Sequence, residues 1–421
     1  MDSTELQAYC EQIASDARAG ARALAHAPSS IKDLFLRDAA TRIRTQESEL
    51  LQTNQRDLDA ASSFDLSAAQ VDRLKLTPQR IEAIAAGLEA VAALDDPIGE
   101  IIESHTRPNG LKIQKTRVPL GVVFFVYESR PNVTTDAAAI CLKSGNAVIL
   151  RGGKEAVHTS TALVNLLWQS MDVAGISRHA LGWVETRNHD AVGILLGLSE
   201  LIDVAIPRGG ISLIQRVANE AKMPVIKHYY GNCHIFVDSQ ADLDMATAIT
   251  INAKCQRPGV CNACESLLVH HDIADQWLPD ICDALETRKV EIRGDQKTKQ
   301  LVPSVLPATE IDYATEYLDD VISIKVVSDL PDAIAHINHY GSGHSDAIIT
   351  GSSDRANQFA RDVDSAAVFI NASTRFHDGS EFGLGVEIGI STDKFHARGP
   401  CGLRELTSYK YIVFGEGEIR D

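Results

Sequence analysis

The stretch Gln256-Arg257-Pro258-Gly259-Val260-Cys261-Asn262-Ala263-Cys264-Glu265 carries the residues best suited to covalent chemistry. A thiol follows a Pro-Gly turn where a polar loop runs into the apolar segment Leu267-Leu268-Val269. A cysteine at such a junction can be exposed and fixed at once, as a covalent nucleophile must be. Cys141 and Cys282 sit inside apolar runs and read as buried, inert thiols. Local sequence leaves Cys261 open between nucleophile and inert thiol. Cys261 and Cys264, with Cys255 upstream and His270-His271 downstream, also raise zinc ligation or dithiol redox chemistry. Neither fits well: structural zinc takes two compact ligand pairs, and a redox Cys-x-x-Cys opens a helix rather than a strand.

Two further loops offer glycines and cations. Ile206-Pro207-Arg208-Gly209-Gly210 follows a strand-like run and precedes a helical one, and Leu150-Arg151-Gly152-Gly153-Lys154-Glu155 has the same character. Backbone amides at such turns can approach a phosphate, and a helix N-terminus favours an anion. The alternatives are an ordinary strand-to-helix turn and a solvated Arg151/Lys154 pair. A Gly-x-Gly-x-x-Gly fingerprint is absent where a first strand would place it, since Gly383-Leu384-Gly385 comes late and no helical pattern follows.

The elements that must position these groups alternate. The first hundred residues read as helices, with a capping box at Ser30-Ile31-Lys32-Asp33, and Pro97 and Gly99 close that region. Apolar strands are expected at 121–127, 147–150, 204–206 and 235–237, with helices at 136–143, 154–171 and 211–221 between them. A second series follows Cys261: strands at 266–269, 322–327, 347–350 and 367–371, helices at 272–286 and 354–364. Alternation of this kind indicates parallel sheets covered on both faces, and 421 residues exceed one ordinary core. Two α/β domains result, with a ligand crevice at strand ends. The net charge of −17 disfavours nucleic acid or anionic membrane as the main partner. Scattered cysteines, with neither signal peptide nor apolar span, suggest reduced thiols in the cytoplasm.

Val118-Pro119-Leu120-Gly121-Val122, Tyr127 to Val133, Leu142 to Gly153, Gln256 to Ala263, Tyr340 to Ser345, Phe382 to Gly389 and His396 to Pro400 form a long ordered series. The series resembles the aldehyde dehydrogenase superfamily across nearly the whole chain, and more specifically its gamma-glutamyl phosphate reductase branch. The resemblance implies an aldehyde dehydrogenase-like α/β fold of two parallel-sheet domains, a helical N-terminal region and a small oligomerisation hairpin. Residues 1–254 would bind NADP, with the hairpin near 105–130; residues 255–390 would carry the cysteine; residues 391–421 would return to the cofactor domain and the oligomerisation sheet.

Roles follow from the same resemblance. Cys261 takes the place of the thiol nucleophile, and Asn132 is the candidate oxyanion amide. Arg151, Lys154, Arg208, Gly209, Gly210 and Glu316 fall at cofactor positions, and a cation at Lys154 favours NADPH/NADP over NAD. Arg130, Arg257, Arg375 and Arg398 are candidates for the substrate phosphate or α-carboxylate; no metal is implied. At His228, where hydrolytic relatives place a glutamate, the chain has an imidazole that would be a general base or a packed histidine. The implied reaction is NADPH-dependent reduction of L-glutamyl 5-phosphate to L-glutamate 5-semialdehyde and phosphate through a cysteine thioester. Homodimer or homotetramer formation and transient contact with a separate glutamate 5-kinase are implied as well.

Overall fold

The computed structural model describes every residue except Asp65, Ser129, His228 and Asp421, together with the backbone but not the side chains of Ala68 and Ala69. The chain divides into two compact units. The first comprises Met1–Lys227, Leu384–Gly389 and Cys401–Asp421; the second comprises His228–Gly383 and Ile390–Pro400.

In the first unit, helices Ser3–Leu24, Ser29–Thr45, Glu47–Ala60 and Pro78–Ala93 dominate the N-terminal region. The first begins with a capping box between Asp2 and Glu5, and buries Leu6, Cys10, Ala14, Ala17, Ala21 and Leu24 along one face. The capping box expected at Ser30 does not form. The second helix starts at Ser29 behind Pro28, which offers no side-chain acceptor, and Asp33 instead pairs with the buried ammonium of Lys143.

Beyond these helices lie β1 (Ile101–Thr106), β2 (Lys112–Pro119), β3 (Val122–Tyr127), β4 (Ala147–Arg151), β5 (Leu181–Trp183) and β6 (Val204–Arg208). Strands β3 to β6 make a parallel sheet in the order β5-β4-β3-β6. Every residue of β3 is buried, as a strand covered on both faces requires. The chain reverses its direction of sheet growth between β3 and β6, so the crevice at the carboxyl ends of those two strands is the site such a sheet offers to a ligand. The helix after β3 starts at Pro131, five residues earlier than its apolar pattern suggested, because proline fits the first helical position. Strand β2 is flanked by β1 and by the C-terminal strand Thr407–Phe414, both antiparallel. All of β1 is exposed, and Tyr409, Tyr411, Val413 and Phe414 also face outward.

The second unit holds β7 (Cys233–Val237), β8 (Cys264–His270), β9 (Glu291–Gly294), β10 (Leu306–Pro307), β11 (Val321–Val327), β12 (Ser345–Ile349) and β13 (Ala367–Ile370). They form one parallel sheet in the order β10-β9-β11-β8-β7-β12-β13. Its two faces bury Ile235, Leu267, Trp277 and Ile324 on one side and Phe236, Leu268, Ile348 and Phe359 on the other. Each such side chain contributes about 2 kcal/mol by leaving water. Strand β7 lies between β8 and β12, which groups the segment before residue 255 with the cysteine.

Candidate functional site

Cys261 follows the helix Leu243–Cys255 and precedes β8, at the amino edge of the seven-stranded sheet. The chain before β7 presses on it from one side. A Cβ on Gly231 would lie 1.8 Å from the Cys261 carbonyl oxygen, so only glycine allows this approach. The Cys233 thiol donates to the same carbonyl at 3.1 Å. From the other side, the Thr374 hydroxyl donates to the carbonyl of Asn262 at 2.7 Å, and the Asn262 amide donates to the carbonyls of His377 (3.1 Å) and Arg375 (3.4 Å). The Arg375 guanidinium closes the ring, donating to the Asn262 side-chain oxygen and to Gln256 at 2.8 Å. The main chain of Cys261 is thereby held on two sides while the residue stays part-exposed.

Burial marks most of the other cysteines, whereas Cys261 is part-exposed. Burial pushes the thiols of Cys264 and Cys282 up to about 12, that of Cys10 up to about 11, and raises those of Cys141 and Cys233 as well. Cys255 is part-exposed, and burial still raises it. These groups stay protonated at neutral pH. Beside Cys261 stands Arg375; burial disfavours its charge, repulsion from Arg257 adds to this, and attraction to the Cys261 sulfur opposes both. A helix C-terminus carries negative partial charge, so at this edge the stabilisation of a thiolate falls to side-chain cations.

Behind the loop lie further polar groups. Lys254 and Glu265 form a fully buried ion pair at 2.7 Å across the two ends of the cysteine loop. Burial lifts the Glu265 carboxyl to about 7, against the pull of Lys254 and of the Leu318 amide. The Ser345 hydroxyl lies 2.7 Å from Nδ1 of both His344 and His377. Burial lowers His377 to about 4, so it is neutral in the folded protein at pH 7. Glu316 accepts from the Gly231 N–H at 2.8 Å. Of the arginines named above, Arg257 and Arg375 gather at the loop, whereas Arg398 is engaged by Asp364 at 3.0 Å. His228 lies outside the described residues. Among the described residues, the group of possible metal ligands within 4.8 Å of one another is His270, His271 and Asp272, and it contains no cysteine.

The remaining candidates gather in the first unit, at the carboxyl ends of β3, β4 and β6. Arg151 ends β4 and is 6% exposed, with Nε and Nη2 lacking any partner among the described residues. Burial disfavours its charge and Glu155 opposes that effect. A buried guanidinium with open donors fits an anionic oxygen. Lys154 is exposed, its ammonium 5.4 Å from the Phe64 ring centre. Arg208 ends β6, and Gly209-Gly210 leads into the helix Ile211–Glu220. The Gly210 amide there already meets an anion: it donates to the Glu128 carboxylate at 2.8 Å. Arg130 caps the helix after β3, and Asn132 is exposed in its first turn. The Asn132 amide donates to Asp136 at 2.9 Å, and burial lifts the Asp136 carboxyl to about 6. Asn132 belongs to the first unit and Cys261 to the second, where the Asn262 amide is taken up by the carbonyls of His377 and Arg375.

Comparison with known proteins decides the family. The model of the aldehyde dehydrogenase family matches residues 4–320 and 309–411. The chain belongs to that family. It is an oxidoreductase with the aldehyde dehydrogenase-like fold. It is 56% identical over 420 residues to a gamma-glutamyl phosphate reductase of Rhodopirellula baltica, covering 100% of this chain and 97% of the relative. To the protein of that name in Carboxydothermus hydrogenoformans it is 51% identical over 408 residues, covering 97% and 98%. The crystal structure of gamma-glutamyl phosphate reductase from Thermotoga maritima superposes with a TM-score of 0.96 at 44% identity, covering 98% of this chain and all of that one. An acetylating aldehyde dehydrogenase from Geobacillus thermoglucosidasius, at 15% identity and a TM-score of 0.67, shares the fold. Among the described residues, no helix is long and apolar enough to cross a membrane.

Proposed function

We propose that this family member catalyses the NADPH-dependent reduction of L-glutamyl 5-phosphate to L-glutamate 5-semialdehyde and phosphate, a step of proline biosynthesis. The observation that carries the reading is the contrast at Cys261: a part-exposed thiol on a clamped main chain, beside Arg375, among cysteines that burial keeps protonated. The full-length likeness to gamma-glutamyl phosphate reductases supplies the substrate class.

In this mechanism the Cys261 thiolate attacks the acyl carbon, phosphate leaves with the bonding pair, and a thioester forms on the sulfur. Arg375 and Arg257 attract the departing phosphate and hold the thiolate charge, and the Cys261 main-chain amide, with the side-chain amide of Asn132, would donate to the developing oxyanion. Arg151, Lys154, Arg208, Gly209, Gly210 and Glu316 are the residues that would hold the dinucleotide. Arg151 fits it best, through its open buried donors. When bound, the nicotinamide supplies the hydride that takes the thioester to the thiohemiacetal level. Collapse of the thiohemiacetal returns the thiol of Cys261 and frees the aldehyde. The exposed strand β1 and the exposed Tyr409, Tyr411 and Val413 of the C-terminal strand would pair copies of the chain into a homodimer or homotetramer. The proposed setting is the cytoplasm, with transient contact to the kinase that makes the labile acyl phosphate.

The test is oxidation of glutamate semialdehyde with NADP⁺, with and without inorganic phosphate. Turnover that depends strictly on phosphate is expected. Rapid turnover without phosphate would show that water resolves the thioester and would overturn the reading.

A further inference from the structure

Glu316 enters the proposed function only as one of the residues that would hold the dinucleotide, yet in the structure its carboxylate has another task. Its Oε1 accepts the Gly231 N–H at 2.8 Å, and Gly231 is the residue packed directly against the main chain of Cys261. Two residues further on, the Cys233 thiol donates to the Cys261 carbonyl at 3.1 Å. The carboxylate is itself held in place. The next-but-one amide, of Leu318, donates to Glu265 at 3.2 Å, and Glu265 is locked by the buried ammonium of Lys254 at 2.7 Å. Leu318 adopts a left-handed conformation with φ 54°, and the Tyr317 hydroxyl is anchored to the carbonyl and carboxylate of Asp312, both at 3.1 Å. A carboxylate on so constrained a segment can press the 231–233 stretch onto the nucleophile loop.

We propose that Glu316 is a positioning residue for Cys261, acting through Gly231, so that a residue that would hold the dinucleotide also sets the placement of the thiol. The inference rests on the reading of Cys261 as nucleophile. It adds a role for Glu316 in acylation before any cofactor is present. Loss of a hydrogen bond from an amide to a charged acceptor translates to about a tenfold change in rate.

The experiment measures the burst of p-nitrophenolate released when the full-length enzyme, without cofactor, is acylated by p-nitrophenyl acetate. Glu316→Met keeps the side-chain volume but removes the acceptor; it should slow the burst by about tenfold. Glu316→Gln retains an oxygen that can accept the same N–H and should restore the rate to within about threefold. Thermal midpoints of both variants check the fold, and Glu316→Ser serves as a second acceptor-poor variant if the first does not fold. A burst at the wild-type rate in Glu316→Met, with only the KM for NADPH raised, would overturn the proposal and leave Glu316 a cofactor contact alone. A burst that persists in Cys261→Ser would instead remove the nucleophile reading, and the proposal with it.

Discussion

The two sheets present opposite edges to chemistry. In the first unit the candidate ligand groups sit at the carboxyl ends of β3, β4 and β6, where helices begin and main-chain amides point outward. In the second, Gly231, Cys261, Glu316 and His344 all precede their strands, at the amino edge of β7, β8, β11 and β12. The first edge attracts anions through helix ends, and it does so whatever the side chains are; Glu128 already takes up the Gly210 amide there. The second edge has no such field in its favour. Its positive charge comes from Arg375 and Arg257, and its geometry from packing around one main-chain segment. The difference separates two kinds of candidate site: an anion cradle built on helix ends, and a cysteine mount built by packing and hydrogen bonds around one main-chain segment.

This contrast can be broken most severely at the mount itself. Cys261→Ser should lower turnover by at least about a thousandfold, because the thiolate is lost, while Cys264→Ser, three residues on and fully buried, should retain turnover near wild type. Steady-state kinetics of the two purified variants decide it, and equal losses would contradict the separation of the two thiols. Gly231→Ala drives a Cβ into the Cys261 carbonyl and should destabilise by about 3 kcal/mol or more, read as a fall in the urea midpoint together with slowed acylation.

The mount should also weaken in acid. His377 is held neutral by burial, from an ordinary value of 6.5 down to about 4. A depressed imidazole contributes stability that is fully present above pH 6.5 and is lost as the pH falls through 4. Unfolding free energies at pH 7 and pH 4 should therefore differ by about 3 kcal/mol on account of this group. His377→Gln should remove that part of the slope, and an unchanged slope would refute the assignment. The smallest effect belongs to the cradle. Arg151→Met should weaken NADPH binding by about tenfold in a fluorescence titration. It should leave the thermal midpoint unchanged or higher, since a buried guanidinium with open donors does not favour folding. A lower midpoint would mean that Arg151 instead helps to hold the fold.

Much of the scaffold was legible because both sheets are parallel and buried. Such strands read as continuous apolar runs, so Val122–Tyr127, Ala147–Arg151 and Cys233–Val237 announced themselves. The three-residue β5, Leu-Gly-Trp, did not, being too short for any periodicity. The Cys261 loop stood out through its Pro-Gly turn and the motif series around it. What holds that loop did not. Thr374 meets Asn262 across 112 residues and Glu316 meets Gly231 across 85, distances at which local spacing carries no signal. Gly231 looked like one more loop glycine; only the strand order, which sets β7 beside β8, makes it indispensable. Glu128 was likewise silent, because its role depends on β3 and β6 being neighbours.

In the proposed reaction Cys261 forms the thioester. Mass spectrometry of the protein after brief exposure to glutamate semialdehyde and NADP⁺ without phosphate tests it most directly. A glutamyl adduct on Cys261, discharged when phosphate is added, is the expected result. An adduct on Cys255 or Cys264, or an active enzyme with none, would contradict it.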